Sequence, residues 1–597
     1  MISQLSFGQN EELADEYYNN GEFEKALLYF EDIYKQKPGM QTYEKYRTCL
    51  METERFEEAQ KLIKKHMKRY KTKLDLHLDM ADVYIALGDE SKANNEYEEA
   101  KSKLSPQRGS ISQLANAFAK RNMQEEALDV YNRGKKLLKE AGKENDAIYF
   151  NFSIADIYGS QGKYDLMIKE YITYLGYNPN YFKTVKNRLN KAMDFQEEDP
   201  NVELLKTELL KKVQQNPEEE VYYELLIWVF TQKKDFNSAF IHTKALDKRL
   251  KEEGVRIIQL ASLCSNNGAY DVASKCYAYI AEKGPENRYF YTGKTMEVST
   301  LRKALKADVY SSKEQYAELK QKYLSVIEEL GRSAETTKII RELATIEAYH
   351  LHEPELALDH LEEALETPGT TDAFKAWCKL DMGDILLAEG YIWDASINYS
   401  QVDKDFKDDL LGHEARYRNA RISYYTGDFD WAQAQLDVLK ASTSKLISND
   451  AMDLSLLITD NLNLDTIVDP MLKYARADLL TVQNKFMDAT ATLDSISEMY
   501  PAHSLEDEIL YQRHLIAYKQ GQFEKSADYL NTIVEDFFYD ILADNALIEL
   551  AILQEEVFEN EEKAMQLYEK LITDFPGSIY TAEARKRFRY LRGDIYN

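Results

Sequence analysis

Cysteine, proline and glycine are scarce in this chain, and their scarcity excludes several classes of structure. The 597 residues include 4 cysteines, 11 prolines and 23 glycines. The cysteines are Cys49, Cys264, Cys276 and Cys378, and they form no CxxC pair and no metal-ligand spacing. We expect all four to be small buried apolar residues, with an approach of Cys264 to Cys276 as the alternative. Few helix breakers, together with abundant Glu, Lys, Leu and Ala, are typical of an all-α protein.

Positive charge is also in deficit. Lysine and arginine number 75 against 103 aspartate and glutamate residues, which gives a net charge of -28. Because phosphate backbones and anionic lipids attract basic proteins, we predict no nucleic-acid partner and disfavour an anionic membrane surface. The chain also lacks a run of eighteen apolar residues, so we expect no direct membrane insertion.

The sequence patterns of common catalytic sites are missing as well. The chain has no GxxxxGK[ST], GxGxxG, HExxH or GxSxG motif. Three histidines lie close together, His350, His352 and His360. Their spacing fits no single helix face, so we expect ordinary surface or interhelical histidines there. We predict that the chain is not an enzyme and uses no cofactor and no metal.

What the chain does contain is a repeated turn. A small residue opens a helix, a glycine or asparagine stands five positions before it, and an aromatic residue usually stands three positions before it. Gly427, Phe429 and Ala432 form one such set. Glycine and asparagine tolerate the left-handed backbone that a sharp helix-to-helix turn requires. The first anchors recur every 33 or 34 residues, at Ala26, Ala59, Ala93 and Ala127.

This pattern resembles the tetratricopeptide repeat, a helix–turn–helix unit of about 34 residues. The first helices agree, with small and aromatic residues three apart at Ala14 and Tyr17. The resemblance covers nearly the whole chain. It implies an all-α fold, a right-handed α-α superhelical solenoid of about 14 hairpins with irregular units and a C-terminal capping helix. Later anchors lie 37 or 38 residues apart, at Ala357, Ala395 and Ala432, which indicates longer helices.

Breaks in this phase divide the chain into segments. For residues 441–470 we expect a helix and a turn-rich loop outside the regular stack. The predicted segments are 1–9, a tail or the remnant of an export signal; 10–180, an N-terminal repeat array; 181–287, divergent then regular repeats; 288–440, long-helix repeats; 441–470, an irregular Ser/Thr-rich insert; 471–576, C-terminal repeats; and 577–597, a capping helix.

One repeat offers a candidate binding site. In the tetratricopeptide phase its inner wall carries two arginines and several tyrosines. An arginine pair in a groove suits a carboxylate or an acidic peptide, and tyrosines add flat apolar contact. The alternative is that the tyrosines pack on the next repeat and the arginines pair with nearby acids. The candidates are Tyr417, Arg418, Arg421, Tyr424 and Tyr425, with Tyr474 and Tyr511 from the following repeats.

The inner wall of the N-terminal repeats is acidic instead. Its predicted positions carry Glu11, Asp15, Asp82 and Asp156. The clamp that chaperone-binding tetratricopeptide proteins use for carboxylates needs Lys and Asn at such positions, so that clamp is absent here. A basic or neutral partner fits this wall better.

The resemblance also bears on function and location. The ending FPGSIYTAEAR resembles that of bacterial envelope repeat proteins, and GDFDWAQAQLDVLKASTSKL resembles large tetratricopeptide proteins of Gram-negative bacteria. We therefore expect a non-catalytic scaffold that binds a protein or peptide on its concave face in the periplasm, with a multiprotein envelope complex as a further partner. The alternatives are a cytoplasmic protein, a component of outer-membrane assembly or secretion, and an enzyme with a site in residues 441–470.

Overall fold

The computed structural model describes residues 2–195, 198–440, 445–462, 467–501 and 503–593. Throughout these residues the regular structure is helical, with no strand. The chain divides into two compact units, residues 1–229 and 230–597. No helix within the described ranges is both long and apolar enough to cross a membrane. The all-α class is confirmed.

Unit 1 is built from helices joined by short turns, and the boundary with unit 2 falls within the last of them. The segment 1–9 overlaps α1, which begins at Ile2, and its role as a tail or signal remnant stays a prediction. The helices are α1 (Ile2–Asn19), α2 (Phe23–Gln36), α3 (Met40–Glu52), α4 (Phe56–Arg69), α5 (Asp75–Ala86), α6 (Glu90–Ser102), α7 (Arg108–Ala119), α8 (Gln124–Glu140), α9 (Glu144–Tyr149), α10 (Asn151–Ser160), α11 (Tyr164–Tyr177), α12 (Phe182–Ala192), α13 (Pro200–Gln215) and α14 (Glu220–Gln232).

Unit 2 continues in the same manner and ends in a helix that packs on α32, as expected of a cap. Its helices are α15 (Phe236–Leu250), α16 (Val255–Asn266), α17 (Tyr270–Ala281), α18 (Phe290–Ala307), α19 (Lys313–Leu330), α20 (Thr337–Ile346), α21 (Pro354–Glu366), α22 (Asp372–Glu389), α23 (Ile392–Asp405), α24 (Leu410–Tyr425), α25 (Phe429–Lys440), α26 (Lys445–Leu462), α27 (Asp469–Val482), α28 (Phe486–Met499), α29 (Glu506–Lys519), α30 (Phe523–Asp536), α31 (Ala543–Glu556), α32 (Glu561–Asp574) and α33 (Thr581–Leu591).

The turns between paired helices have the predicted chemistry. Gly427 has φ of 80°, and Asn122 has φ of 61°, both in the left-handed region. At the first of these turns the Asp428 amide donates to the Ser423 carbonyl at 2.9 Å, which closes the end of α24. Glu54 takes the same conformation, with φ of 57°, although it is neither glycine nor asparagine. There the packing of the hairpin offsets the strain.

The small anchors are the points of closest approach within hairpins. Each is at most 2% exposed, because a larger side chain would force the two helices apart. These residues are Ala26, Ala59, Ala93, Ala127, Ala239, Ala273, Ala357, Ala395, Ala432, Ala489 and Ser526. The predicted phase and the repeat of tetratricopeptide-like hairpins are therefore confirmed.

The expectation that residues 441–470 lie outside the stack is wrong for the part that the structure describes. Helix α26 packs against α25, and Ile447, Ala451, Leu454 and Ile458 belong to the core cluster that contains Leu436. These four residues repeat at helical spacing and form one apolar face. The Ser/Thr-rich composition hid this periodicity. Residues 441–444 and 463–466 of the predicted insert lie outside the described ranges.

Gly427 provides a direct test of the hairpin turn. A side chain here must adopt a left-handed backbone, and a Cβ atom would lie 2.5 Å from Leu472 Cδ2. We expect Gly427→Val to lower the free energy of unfolding by about 1–2 kcal/mol, measured by urea titration followed by circular dichroism.

Gly577→Ala is the matched control for that test. Gly577 has no positive φ, and a Cβ there meets no atom within 4 Å. The control is expected to stay within about 0.5 kcal/mol of the parent. Equal stability of Gly427→Val and the parent protein would contradict the assigned turn.

Candidate functional site

The seven residues predicted as a site lie on three first helices of unit 2. Helix α24 carries five of them, α27 carries Tyr474 and α29 carries Tyr511. Helix α24 contacts α27, and α27 contacts α29, so the three helices stand side by side. The structure therefore brings the predicted residues onto one wall, although it buries them to different extents.

Three of the tyrosines are core residues. Tyr424 is fully buried, and Tyr425 and Tyr474 are nearly so. The rings of Tyr424 and Tyr425 lie 5.4 Å apart, and the Tyr474 hydroxyl donates to the backbone carbonyl of Glu508 at 3.2 Å. These side chains pack the repeat against its neighbour, which is the alternative that the sequence left open. Tyr417 and Tyr511 are only partly buried.

The guanidinium of Arg418 is already bound by carboxylates of this chain. Its Nε lies 3.0 Å from an Asp384 carboxylate oxygen, and its Nη1 donates to Glu414. Two carboxylates therefore compensate its single positive charge. This arrangement removes the chemistry expected of an arginine pair that binds an acidic peptide. Whether these residues contact a ligand remains a prediction.

Arg421 is also engaged by its neighbours. It donates a hydrogen bond to the Tyr425 hydroxyl. Asp478 lies within its electrostatic reach. Burial raises the pKa of the Asp478 carboxyl, while the positive charges of Arg421 and Lys519 oppose that rise. Arg421 and Asp478 thus form a partly buried, mutually compensating pair.

Arg418 belongs to a recurring arrangement that we call the tyrosine–carboxylate–arginine bridge. In one hairpin, the buried Tyr399 of α23 donates to Asp384 of α22 at 2.7 Å, and Arg418 of the next hairpin binds the same carboxylate. The bridge neutralises an inner carboxylate and connects neighbouring hairpins. It recurs as Tyr171, Asp156 and Arg188, and as Tyr568, Glu555 and Arg587.

These bridges were not predicted, although the sequence contains a signal for them. Tyr399 follows Asp384 by 15 residues, and Tyr171 follows Asp156 by 15 residues. Asp156 had been predicted as an acid of the inner wall. A search for acids 15 residues before each hairpin tyrosine finds this part of the arrangement. The arginine is harder to find, because it comes from the next hairpin at a variable distance.

Three carboxylates on the inner side of unit 2 lack such a partner. Asp450 and Asp453 on α26 and Asp544 on α31 have no lysine or arginine nitrogen within 4.0 Å among the residues that the structure describes. The pKa of Asp453 is raised to about 6 by burial and by the charges of Asp450 and Asp544. Carboxylates of two helices far apart in sequence therefore repel one another across a shared space.

Tyrosines complete this space. Burial, with a contribution from the negative charges of Asp450 and Asp453, raises the pKa of Tyr417 and of Tyr580 to about 12. Asn545 donates to the Tyr580 hydroxyl at 2.8 Å. We call this space the inner basin; it is lined by Tyr417, Arg421, Asp450, Asp453, Asp478, Tyr511, Asp544 and Tyr580.

Contacts between distant parts of unit 2 bring its beginning and its end together. Lys234 Nζ lies 4.3 Å from the centroid of the Tyr590 ring, so α33 reaches the turn before α15. The rings of Tyr310 and Phe523 lie 6.2 Å apart. Unit 2 therefore closes upon itself, and an inner residue such as Asp453 has an accessible surface yet is surrounded by protein atoms.

Two groups in unit 1 have ligand atoms close enough together to hold a metal, among the residues that the structure describes. Lys101 forms ion pairs with all three carboxylates of the first group, and Lys103 contacts His77 and Glu99 of the second. Both groups therefore already surround an ammonium. The groups are Glu98, Glu126 and Asp129, and His77, Glu96 and Glu99.

The histidines noted in the sequence do not converge. His360 Nδ1 lies 2.7 Å from a carboxylate oxygen of the buried Glu347. His350 stacks on Tyr316 with ring centroids 3.8 Å apart. His352 takes a left-handed backbone at the end of a π-helical turn, Glu347–Leu351. Each histidine has a separate structural environment.

The known proteins to which this chain is similar are solved structures of low sequence identity and low TM-score. No family model matches the sequence, and no curated protein matches it. A structure of Naa15/Naa10 bound to HypK-THB is 14% identical with a TM-score of 0.27, over 98% of this chain and 92% of that chain. A tetratricopeptide repeat protein from Parabacteroides merdae is 12% identical with a TM-score of 0.27, over 57% and 99%. Yeast Tom70 is 15% identical with a TM-score of 0.24, over 98% and 99%.

A buried acid next to the predicted tyrosines gives a pH-dependent prediction. Glu508 is 6% exposed, and Asn461 donates to it at 3.2 Å. Burial, and then the neighbouring Asp507, raise the pKa of Glu508 to about 9. The folded state therefore binds a proton that the unfolded state releases near its ordinary pKa of 4.5, so this group's stabilisation falls as pH rises through that window.

We expect Glu508→Gln to raise the free energy of unfolding at pH 8 by roughly 1–3 kcal/mol, because the amide cannot ionise. The gain should shrink at pH 5, and thermal melts at the two values measure it. Glu506→Gln changes an exposed neighbour and serves as the control. A Glu508→Gln protein that melts below the parent at pH 8 would contradict the assignment.

Proposed function

We propose that the chain is a scaffold that binds a protein or peptide partner in the inner basin of unit 2. The observation that carries this proposal is the contrast between paired and unpaired acids on the inner wall. Asp156, Asp384 and Glu555 each have a tyrosine and an arginine partner. Three of the basin carboxylates, Asp450, Asp453 and Asp544, have no basic partner within ion-pair distance in the described part of the chain.

The chemistry of the basin favours a partner that carries lysine or arginine. Carboxylates attract a cationic side chain, and tyrosine rings contact its hydrocarbon stem or its charge. A bound cation opposes the burial and the mutual repulsion that together raise the pKa of Asp453. The proposed partner is therefore basic. The arginine pair in the sequence had indicated an acidic peptide instead.

We also propose that binding, rather than catalysis, is the activity. Burial raises the pKa of Cys49, Cys264 and Cys378 to about 12, which keeps these thiols protonated and unreactive at neutral pH. The described residues that line the basin include no serine, cysteine or histidine that could act with its carboxyls as a nucleophile or a base. An environment that perturbs pKa values through repulsion is equally suited to holding a cation.

We expect a fluorescein-labelled octalysine peptide to bind the full chain at pH 7.5 and to bind more weakly at pH 5, where Asp453 is largely protonated. Asp450→Asn with Asp453→Asn should weaken binding at least about fivefold in a fluorescence anisotropy titration.

The matched control is Glu561→Gln with Glu562→Gln, which changes net charge equally at two exposed positions of α32. It should retain the parent affinity. If both double variants weaken binding to the same degree, attraction is spread over the acidic surface, and the basin is not the site.

We further propose that the protein acts in a bacterial cell envelope, in the periplasm and within a larger complex. The support is the FPGSIYTAEAR ending and its resemblance to envelope repeat proteins. Spheroplast fractionation of the full-length, epitope-tagged protein tests this, and we expect release with the periplasmic marker. Retention with a cytoplasmic marker, together with resistance to added protease, would contradict it.

A further inference from the structure

A second surface of unit 2 lies outside the inner basin and shares no residue with it. It is a groove of about 650 Å³ between α30, α31 and α32. We call it the Phe538 groove, and it is lined by Val534, Glu535, Phe538, Tyr539, Ala543, Lys570, Asp574 and Phe575. Its size suits one or two side chains of a partner.

Two aromatic side chains of this groove are unusually exposed. Phe538 is 61% exposed and Tyr539 is 74% exposed, and their rings meet edge to face at 5.5 Å. Both lie in the turn between α30 and α31. Apolar rings left in water at a concave surface are typical of interaction sites, where a partner covers them.

The equivalent turn after the following hairpin, between α32 and α33, shows that the fold does not need these rings. The turn from Phe537 to Leu542 and the turn from Phe575 to Tyr580 have equal length and the same hydrogen bonds. The Asp540 amide donates to the Phe537 carbonyl at 2.9 Å, and the Ser578 amide donates to the Phe575 carbonyl at 3.0 Å. Where the first turn has Phe538 and Tyr539, the second has Pro576 and Gly577.

Charge decides which partner fits the groove. Glu535 and Asp574 line it and have no ion pair among the described residues, while Lys570 is the single basic lining residue. Asp536 and Asp540 flank the aromatic pair in the sequence. An anionic lipid surface is repelled by these acids, and a second copy of a chain with net charge -28 is repelled as well.

We propose that the Phe538 groove is a docking site for a protein segment that presents an apolar side chain next to lysine or arginine. The apolar side chain lies between Phe538, Tyr539 and Phe575, and the basic side chain reaches Glu535 or Asp574. Exclusion of water from the rings supplies affinity, and the flanking acids select for positive charge.

The test uses fluorescein-labelled KLFKKLK as the probe and the full chain carrying Asp450→Asn and Asp453→Asn, so that the inner basin does not compete. Phe538→Pro with Tyr539→Gly introduces the residues of the equivalent turn, Pro576 and Gly577, without changing net charge. We expect this graft to weaken probe binding at least about tenfold in fluorescence anisotropy. Probe KSSKKSK, with the same charge, should bind the ungrafted chain at least about tenfold more weakly than KLFKKLK.

Trp393→Ala is the control variant, because it removes another exposed aromatic ring of unit 2, 72% exposed, far from the groove in sequence. It should leave affinity unchanged. Phe538→Ser with Tyr539→Ser provides a second groove variant if the graft does not melt like its parent.

Equal probe affinity of the groove variants and the parent would overturn the proposal. A second result would also overturn it: the parent binds no probe but self-associates as its concentration rises, and the groove variants do not self-associate. That result would assign the groove to a second copy of the chain. Binding of the parent to phosphatidylglycerol vesicles that the variants abolish would assign it to a membrane and overturn the proposal as well.

Discussion

A tyrosine hydroxyl that donates to a carboxylate, which also binds an arginine of the next hairpin, joins neighbouring repeats of this chain. At Tyr399, Asp384 and Arg418 the hydroxyl bond measures 2.7 Å and the arginine bond 3.0 Å. Each bridge satisfies a carboxylate that the stacking of hairpins removes from water, which would be costly if the carboxylate stayed unpaired. The bridges therefore fix neighbouring hairpins together and neutralise much of the inner wall.

The proposed binding site lies where inner carboxylates have no arginine partner. Helix α26 adds Asp450 and Asp453 to the inner side of unit 2 without adding an arginine for them. Burial, and then the negative charges of Asp450 and Asp544, raise the pKa of Asp453 to about 6. The extra helix, which interrupts the repeat period, is thus also the element that creates the basin.

Local sequence signals were sufficient for the hairpins, because Gly427 and Ala432 each obey a rule that depends on one turn or one helix pair. They failed where the outcome depends on distant parts of the chain. Arg418 was predicted to bind a ligand from an inner wall, but its charge is compensated by Asp384, 34 residues earlier. The meeting of α26 with α31 and with Tyr580 depends on how unit 2 curves, which no local pattern encodes. The apolar face of α26 was present in the sequence but was obscured by serine and threonine.

Hydrogen–deuterium exchange of the full chain with and without octalysine tests the central claim most directly, because it reports the location of binding along the chain. The account predicts added protection in α26 and in α31, which carry the unpaired carboxylates, and little change in α22 and α23, whose Asp384 is already bridged. Protection spread evenly over acidic helices, or confined to helices that lie outside the basin, would contradict it.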